Sequence, residues 1–132
     1  MKALKQKIKK MDIVVKKSAI SGRGVFAARD FKRGEIVLRW QPKLLDAKQI
    51  KELSDQEKIY VSQCGNKFYL MQPPECYVNH SCEANTYAKN GCDVAKRFII
   101  KGEEITADYT QEGIMNSFRC YCGSKKCQKI IK

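Results

Sequence analysis

The sequence predicts a mostly β domain of short strands with one short helical insert. Short runs rich in β-branched and aromatic residues alternate with glycine-containing turns along most of the 132 residues. Only one segment, near the middle of the chain, has the residue spacing typical of helix caps. The length and the 43% hydrophobic content are both typical of one folded domain, and we find no internal repeat and no linker.

The first third of the chain contains a weak helical pattern followed by two strands. Residues 1–11 place apolar side chains at helical spacing, which indicates an amphipathic lead-in. Residues 12–16 (DIVVK) predict a short strand. After the glycine-containing stretch SGRGVFA, a turn at Arg33 and Gly34 precedes a β-branched strand that ends at Trp40.

Residues 46–62 are predicted to be the helical insert. Asp46 with Gln49, and Ser54 with Glu57, both have the spacing of a capping box, in which each side chain bonds the backbone of the other residue. With two capping boxes in one segment, the insert is either one helix or two short helices.

The second half of the chain predicts further strands separated by clear turns. The strand KFYLM (67–71) ends at a Pro-Pro pair, because proline removes an amide donor and restricts the residue before it. An Asn-Gly pair between NTYAK and CDVAKRFII is a strong hairpin signal. A Lys-Gly turn then leads into the strand-like segment EEITADY.

The seven cysteines argue for a metal site rather than for disulfides. An odd number cannot form a complete disulfide set, and in a reducing compartment clustered cysteines more often bind metal. The segment RCYCGSKKC supplies Cys120, Cys122 and Cys127, whereas a structural zinc ion normally takes four ligands. Cys82 is the candidate for the fourth. We interpret the remaining three cysteines as buried small side chains: Cys64, Cys76 and Cys92.

The net charge of +12 is concentrated at the two ends of the chain. Residues 1–17 carry +6 and residues 119–132 carry +5, which leaves +1 for the rest. The charge fits solvated ends, or electrostatic contact with nucleic acid or an acidic protein surface. Part of the tail's charge would also offset the net −2 of a zinc ion held by four thiolates.

Hydropathy gives an expectation about location. No apolar run approaches the roughly 20 residues that a membrane helix needs. The N-terminal segment MKALKQKIKK lacks the apolar stretch and cleavage site of a secretory signal. We therefore expect an intracellular protein, in the nucleus or the cytoplasm, with no membrane partner.

Four motifs, in order, make the sequence resemble the SET-domain protein lysine methyltransferases. SGRGVFA is similar to the first glycine motif of that family, VNHSCEAN to its asparagine-histidine motif, GEEITADY to its GEEL-T-F-D-Y segment, and CYCGSKKC to its zinc-binding post-SET tail. The resemblance runs from about Asp12 to Ile131. It implies a near-minimal member with a SET domain over residues 12–109 and a post-SET tail over residues 110–132.

The resemblance also implies a fold and a set of site residues. The fold is the β-clip of small sheets, with a C-terminal pseudoknot that brings the two central motifs together. S-adenosyl-L-methionine is the implied cofactor, and the positions that contact it are Gly22, Arg23, Gly24, Asn79, His80 and Ile131. Tyr109 matches the catalytic tyrosine, and the substrate-lysine channel is matched by Trp40, Tyr69 and Ala107. One structural zinc ion is held by Cys82, Cys120, Cys122 and Cys127.

The implied reaction is direct methyl transfer to a deprotonated lysine amine of a protein. The sulfonium sulfur is already a good leaving group, so the protein must hold a neutral amine in line with the methyl group. A nearby sulfonium charge and an apolar channel both lower the pKa of lysine from its usual value of about 10.4. The implied substrate is a histone, a ribosomal protein or another protein associated with nucleic acid.

One departure from the family pattern bears on the product. Ala107 stands where the family usually has Phe or Tyr, so we expect room for more than one methyl group on the lysine. Tyr87, on the adjoining predicted strand, is the nearest side chain that could restore the missing wall.

Two other functions remain as alternatives. One is a catalytically inactive SET-like module that only binds a partner, although Asn79, His80 and Tyr109 are all retained. The other is a small basic zinc protein that binds nucleic acid. This second alternative explains the charge and the cysteines but leaves the GEEITADY and NHSC segments unexplained.

Overall fold

The computed structural model describes residues 12–111 and 118–131, so the predicted N-terminal helix over residues 1–11 lies outside the described residues. The strands of the described part are β1 Ile13–Lys17, β2 Arg23–Ala27, β3 Ile36–Arg39, β4 Lys43–Leu45, β5 Val61–Cys64, β6 Lys67–Leu70, β7 Asn79–His80, β8 Thr86–Lys89, β9 Cys92–Ala95, β10 Glu104–Ala107, β11 Phe118–Arg119 and β12 Ile130–Ile131. Short strands therefore dominate, which confirms the predicted mostly β class.

The strands form four small sheets. Their orders are β1-β2-β10-β7, β3-β9-β8, β4-β6-β5 and β11-β12. A core of apolar side chains that are at most 4% exposed lies against the first sheet, and it includes Val25, Phe31, Val78, Ile99 and Ile105. No helix of the described part is long and apolar enough to cross a membrane.

The helical insert is shorter than residues 46–62, the range predicted for it. It consists of α1 (Ala47–Glu52) and α2 (Asp55–Lys58), and the capping box predicted at the start of each one forms. The last predicted residues belong to β5, because Val61 pairs with Leu70 of β6. Pairing with a strand distant in sequence thus overrides the local helical pattern, as tertiary contacts often do.

The predicted hairpin is formed by β8 and β9. Asn90 and Gly91 connect the two strands with φ of 51° and 71°, the left-handed conformation at both positions that a type I′ turn requires. Asparagine and glycine adopt this conformation at low cost, so the turn sets the register of β9. As a result Asp93 faces Leu38 of β3 on one side and Ala88 of β8 on the other.

The two central motifs lie side by side in a parallel pair of very short strands. Thr106 of β10 pairs with Asn79 of β7, and Ala107 pairs with His80. The amide of Ser81 donates to the carbonyl of Ala107 at 3.0 Å and continues the pairing. This arrangement brings together the asparagine-histidine motif and the segment that ends in Tyr109, as the resemblance implies.

A buried asparagine stabilises this junction. Asn85 is only 3% exposed, its Nδ2 donates to the carbonyl of Glu104 at 2.8 Å, and its Oδ1 accepts from the amide of Thr106 at 2.9 Å. The hydroxyl of Thr86 donates to the carbonyl of Thr106 at 2.7 Å. The neighbouring strands β2 and β7 are short and leave some backbone groups of β10 without a partner in the sheet. The side chains of Asn85 and Thr86 form hydrogen bonds with these groups.

We expect Asn85→Ala to lower the free energy of unfolding by about 2 to 4 kcal/mol, because it leaves a buried amide and a buried carbonyl without partners. Urea denaturation of the purified protein measures this change. Gln63→Ala is the matched control, since it removes an exposed side-chain amide, and its effect should stay within about 0.5 kcal/mol. Equal stability of the two variants would contradict the role assigned to Asn85.

Candidate functional site

A cleft of about 610 Å³ opens beside the β7–β10 junction. This volume lies in the range of about 300 to 1,000 Å³ that small-molecule sites occupy. Residues from all four sequence motifs line it, including Gly22, Arg23, Asn79, His80, Tyr109 and Tyr121. The cleft is therefore a composite site that exists only when these distant segments meet.

The two glycines of the SGRG turn serve different purposes. Gly22 adopts a φ of +44°, which favours glycine, and lies in open space at the edge of the cleft. Gly24 is buried against the Glu104 carboxylate, and a Cβ at this position would overlap with it. Gly24 is not among the cleft-lining residues in the described part, so the structure explains it by close packing.

Asn79 joins the SGRG turn to β10. Its Nδ2 lies 3.0 Å from the carbonyl oxygens of both Ser21 and Arg23 and 2.9 Å from Oε2 of Glu104. The hydroxyl of Ser18 donates to the same carboxylate at 2.8 Å. The side-chain amide of Asn79 thus holds the turn in place where its backbone faces the cleft.

His80 is neutral in this structure, and its hydrogen bonds define the tautomer. The backbone amide of Tyr109 donates to Nδ1 at 3.0 Å, so Nδ1 carries no proton. The proton is then on Nε2, which lies 3.5 Å from Sγ of Cys82. Burial lowers the pKa of His80 and outweighs the opposing effect of Asp108, so the 3.9 Å contact with that carboxylate is not an ion pair at neutral pH.

Tyr109 stands at the boundary between the cleft and a second, narrower pocket. Its hydroxyl donates to the carbonyl of Val78, and its ring lies 5.4 Å from the His80 ring. Both contacts position the phenol, and both depend on β7 lying next to β10. Tyr109 lines both cavities.

The narrow pocket has a volume of about 60 Å³. Among the residues that line it are Trp40, Tyr60, Glu75, Asp93, Ala107 and Tyr109. The two cavities share part of their walls, including Tyr60, Cys76 and Tyr109, so they meet at this point. Such a pair of cavities can hold a large ligand in the wide cleft and the end of a thin ligand in the narrow aromatic channel. The two ligands would touch where the cavities meet.

The structure places two predicted channel residues in the narrow pocket and replaces the third. Trp40 and Ala107 line it, whereas Tyr69 is not among its lining residues and is half-buried in β6 opposite Leu44 and Ser62. Tyr60 supplies an aromatic ring instead. The sequence pattern missed Tyr60 because it lies inside the segment predicted as helix.

Two further expectations about wall residues differ from the structure. Ile131 is fully buried in β12, where it pairs with Phe118, and among the described residues it does not line the cleft. The tail contributes Arg119, Cys120 and Tyr121 to the cleft instead. Tyr87 is 36% exposed on β8 and is not among the residues lining the narrow pocket, so it does not replace the missing ring at position 107.

The four predicted metal ligands come together. The sulfur atoms of Cys82, Cys120, Cys122 and Cys127 all lie within 4.8 Å of one another, and those of Cys82 and Cys120 are 3.9 Å apart. Tetrahedral zinc–thiolate bonds of about 2.3 Å require sulfur separations of about 3.8 Å. The cluster therefore has the size and the ligand chemistry of a Cys₄ zinc site.

The hydrogen bonds and the thiol pKa values of the cysteine cluster also favour the binding of a cation. The amide of Gln128 donates to Sγ of Cys82 at 3.3 Å, as amides around metal-bound thiolates do. Burial raises the pKa of Cys120 to about 12. Against burial, hydrogen bonds from the backbone of Cys82 and Ser124 lower the pKa of Cys122 to about 6. Crowded thiols cannot all ionise alone, and a divalent cation removes that restriction.

The other described cysteines lie outside the cluster. Cys92 is 5% exposed in β9, and Cys76 is half-buried, where burial raises the pKa of its thiol to about 11. Cys92 is thus a buried small side chain, as predicted, whereas Cys76 is only half-buried and lines both cavities. The side chain of Cys64 lies outside the described part of the chain.

Comparison with known proteins agrees with this geometry. The model of the SET domain family matches residues 22–110, which is more than half of the chain, so the chain belongs to the SET-domain family. The fold is also similar to the methyltransferase domain of human histone-lysine N-methyltransferase SETMAR. That similarity has a TM-score of 0.71 and 18% identity, and it covers 91% of this chain and 57% of the other.

Similar sequences include two larger proteins. The chain is 29% identical over 137 residues to histone-lysine N-methyltransferase trithorax of Drosophila virilis, a match that covers 87% of this chain. It is 29% identical over 149 residues to human histone-lysine N-methyltransferase 2B, which covers 96% of this chain. The matched regions span only 3% and 5% of the length of these relatives.

We expect Cys82→Ser to reduce the bound zinc well below the one ion per chain expected for the wild-type protein, because the site loses one of four ligands. Metal analysis of the purified proteins measures this stoichiometry. Cys92→Ser is the control, since Cys92 lies outside the cluster. If zinc is lost from Cys92→Ser and retained by Cys82→Ser, the assignment of the site is wrong.

Proposed function

We propose that this SET domain is an S-adenosyl-L-methionine-dependent protein-lysine N-methyltransferase. The observation that carries the proposal is the meeting of a wide cleft and a narrow channel at Tyr109, next to His80. The relatives named above are histone-lysine N-methyltransferases, which supports the same chemistry. An inactive binding module would not need two cavities that meet at Tyr109.

The residues of the cleft fit the cofactor. Gly22 and Arg23 of the SGRG turn line the cleft together with Asn79 and the neutral ring of His80. These residues would hold S-adenosyl-L-methionine, which supplies an electrophilic methyl group on a cationic sulfur. The volume of about 610 Å³ is adequate for a nucleoside with an amino-acid chain.

The channel would hold the lysine side chain. Its walls combine aromatic rings (Trp40, Tyr60 and Tyr109) with apolar Val78 and Ala107. These apolar walls lower the pKa of an inserted amine, whereas the acids Glu75 and Asp93, which also line the channel, raise it. Tyr109 would orient the amine towards the cleft, because its hydroxyl is already held by the carbonyl of Val78.

The proposed roles of the cleft and the channel residues divide the chain into two parts. We assign residues 12–109 to the SET domain and residues 110–132 to a post-SET tail. The tail supplies three of the four cluster cysteines, and it also lines the cleft through Arg119 and Tyr121. A zinc ion in the cluster would therefore hold one wall of the cofactor cleft in place.

The proposed substrate is a lysine on a histone or another protein associated with nucleic acid, ribosomal proteins included. The relatives are named for histone lysine, and the ends of the chain carry charges of +6 and +5 that suit contact with a nucleic-acid complex. The same arguments favour the nucleus, or the cytoplasm for a ribosomal target. A purely nucleic-acid-binding zinc protein would show steeply salt-dependent binding to DNA and no methyl transfer.

We expect Tyr109→Phe to keep its affinity for S-adenosyl-L-methionine but to lose methyl transfer by roughly 100-fold or more, because the hydroxyl orients the amine. Transfer of labelled methyl groups to a mixed histone and ribosomal protein preparation measures turnover, and calorimetry measures cofactor affinity. Tyr87→Phe removes a hydroxyl outside both cavities and should retain full activity. Wild-type protein that binds cofactor and labels no protein in this mixture would refute the proposed function.

We expect the wild-type enzyme to accumulate di- or trimethyl-lysine, because Ala107 leaves space in the channel where an aromatic ring would restrict the amine. Ala107→Tyr should shift the products towards monomethyl-lysine. Mass spectrometry of the labelled proteins after long incubation measures the product ratio, and a thermal melt checks that the variant is folded. Monomethyl-lysine alone from the wild-type enzyme would contradict this expectation.

A further inference from the structure

Asp93 is a buried acid that no step of the proposed reaction requires. It lies in β9, between β3 and β8, and is 2% exposed. Its Oδ2 accepts a hydrogen bond from Nε1 of Trp40 at 2.9 Å, whereas its Oδ1 has no hydrogen-bond partner among the described residues. Buried carboxylate oxygens are rarely left unpaired, since each costs free energy, so this one needs an explanation.

The position of Asp93 suggests what the unpaired oxygen faces. Asp93 lines the narrow channel together with its partner Trp40, Ala107 and Tyr109. Glu75, the other buried acid of the channel, differs because its two oxygens accept hydrogen bonds from the backbone amides of Gln41 and Gln72. Of these two acids, Asp93 is therefore the one with an oxygen that lacks a hydrogen-bond partner among the described residues, and it belongs to the channel wall.

We propose that Asp93 recognises the ammonium group of the substrate lysine as it enters the channel. This inference rests on the proposed function and names the residue that selects a cation. An alkylammonium is the ligand that fits best, because it carries three N–H donors and a positive charge on a thin chain. The channel, with a volume of about 60 Å³, suits the end of a thin chain.

The pairing is compatible with the chemistry that follows. Burial raises the pKa of Asp93, the Trp40 hydrogen bond lowers it and the nearby charge of Glu75 raises it, and the net value is about 6. Asp93 is therefore ionised at neutral pH yet protonates readily. Transfer of one proton from Nζ of the lysine to Oδ1 of Asp93 would leave both groups neutral, the state of the amine that methyl transfer requires.

The channel contains a reporter for this test. Trp40 is the only tryptophan of the chain, and it both lines the channel and bonds Asp93, so its fluorescence responds to a ligand placed there. The probe is n-butylammonium chloride, which has the length of a lysine side chain. The neutral control is n-butanol, which has the same shape without the charge, and sodium chloride keeps the ionic strength constant.

We expect a saturable fluorescence change with n-butylammonium and a much weaker one with n-butanol. Asp93→Asn retains an oxygen for the Trp40 hydrogen bond but removes the charge, so it should weaken n-butylammonium binding by at least about tenfold. Asp55→Asn removes the same charge from the exposed start of α2 and should leave binding unchanged. Equal responses to both probes, no response to n-butylammonium, or equal affinity in Asp93→Asn and wild type would overturn the proposal.

A pH series on the wild-type protein tests whether a carboxylate of the channel binds the probe if Asp93→Asn does not fold. Binding of n-butylammonium should weaken as the pH falls from about 8 to about 5, because the carboxyl group protonates near pH 6 while the probe stays charged. The other titratable groups that line the channel are Tyr60, Glu75, Cys76 and Tyr109. Of these groups, only Glu75 can protonate in the same pH range as Asp93. If the binding of n-butylammonium does not change over this range, neither Asp93 nor Glu75 is its partner.

The measurement requires no methyl transfer, so it separates the two proposals. If n-butylammonium binds as expected but no protein is methylated, the channel is a cation site and the proposed reaction is wrong. If proteins are methylated but Asp93→Asn binds the probe normally, Asp93 is only the structural partner of Trp40.

Discussion

The parallel pairing of β7 with β10 is the contact on which the rest of the site depends. It joins only two residue pairs, Thr106 with Asn79 and Ala107 with His80, so its ladder hydrogen bonds alone are too few to hold it. Asn85 adds buried hydrogen bonds from one side, and the Asn79 amide binds the SGRG turn from the other. Side-chain amides thus replace the strand length that this junction lacks.

The junction also connects the cleft to the cysteine cluster. His80 contacts Tyr109 through Nδ1 and Cys82 through Nε2, so one buried ring touches both the channel wall and a cluster ligand. Because Cys120 lies in the cluster and also lines the cleft, movement of the tail would change both. Zinc binding and cofactor binding are therefore expected to stabilise each other, as ligands that favour the same folded arrangement do.

Sequence reasoning succeeded where the relevant physics is local and lost accuracy where it is not. The capping boxes and the Asn-Gly turn depend on neighbouring residues, and they form as predicted. The exchange of Tyr69 for Tyr60 in the channel depends on how the β4-β6-β5 sheet packs. Asp93 gave no sequence signal, because a single acid in a strand is ordinary until its burial is known.

The sequence by itself determined the class of fold, the family and the residue types of the cysteine cluster, because the order of the motifs and the residues of the turns can be read directly from the chain. Only the tertiary structure decided which side chains share a cavity. A parallel pair of two-residue strands produces no periodic pattern, and whether Gly24 or Ile131 faces a ligand or the protein interior depends on packing between distant segments. For the same reason, only the tertiary structure reveals that Oδ1 of Asp93 has no hydrogen-bond partner among the described residues. This depends on the positions of Trp40 and Glu75 relative to Asp93.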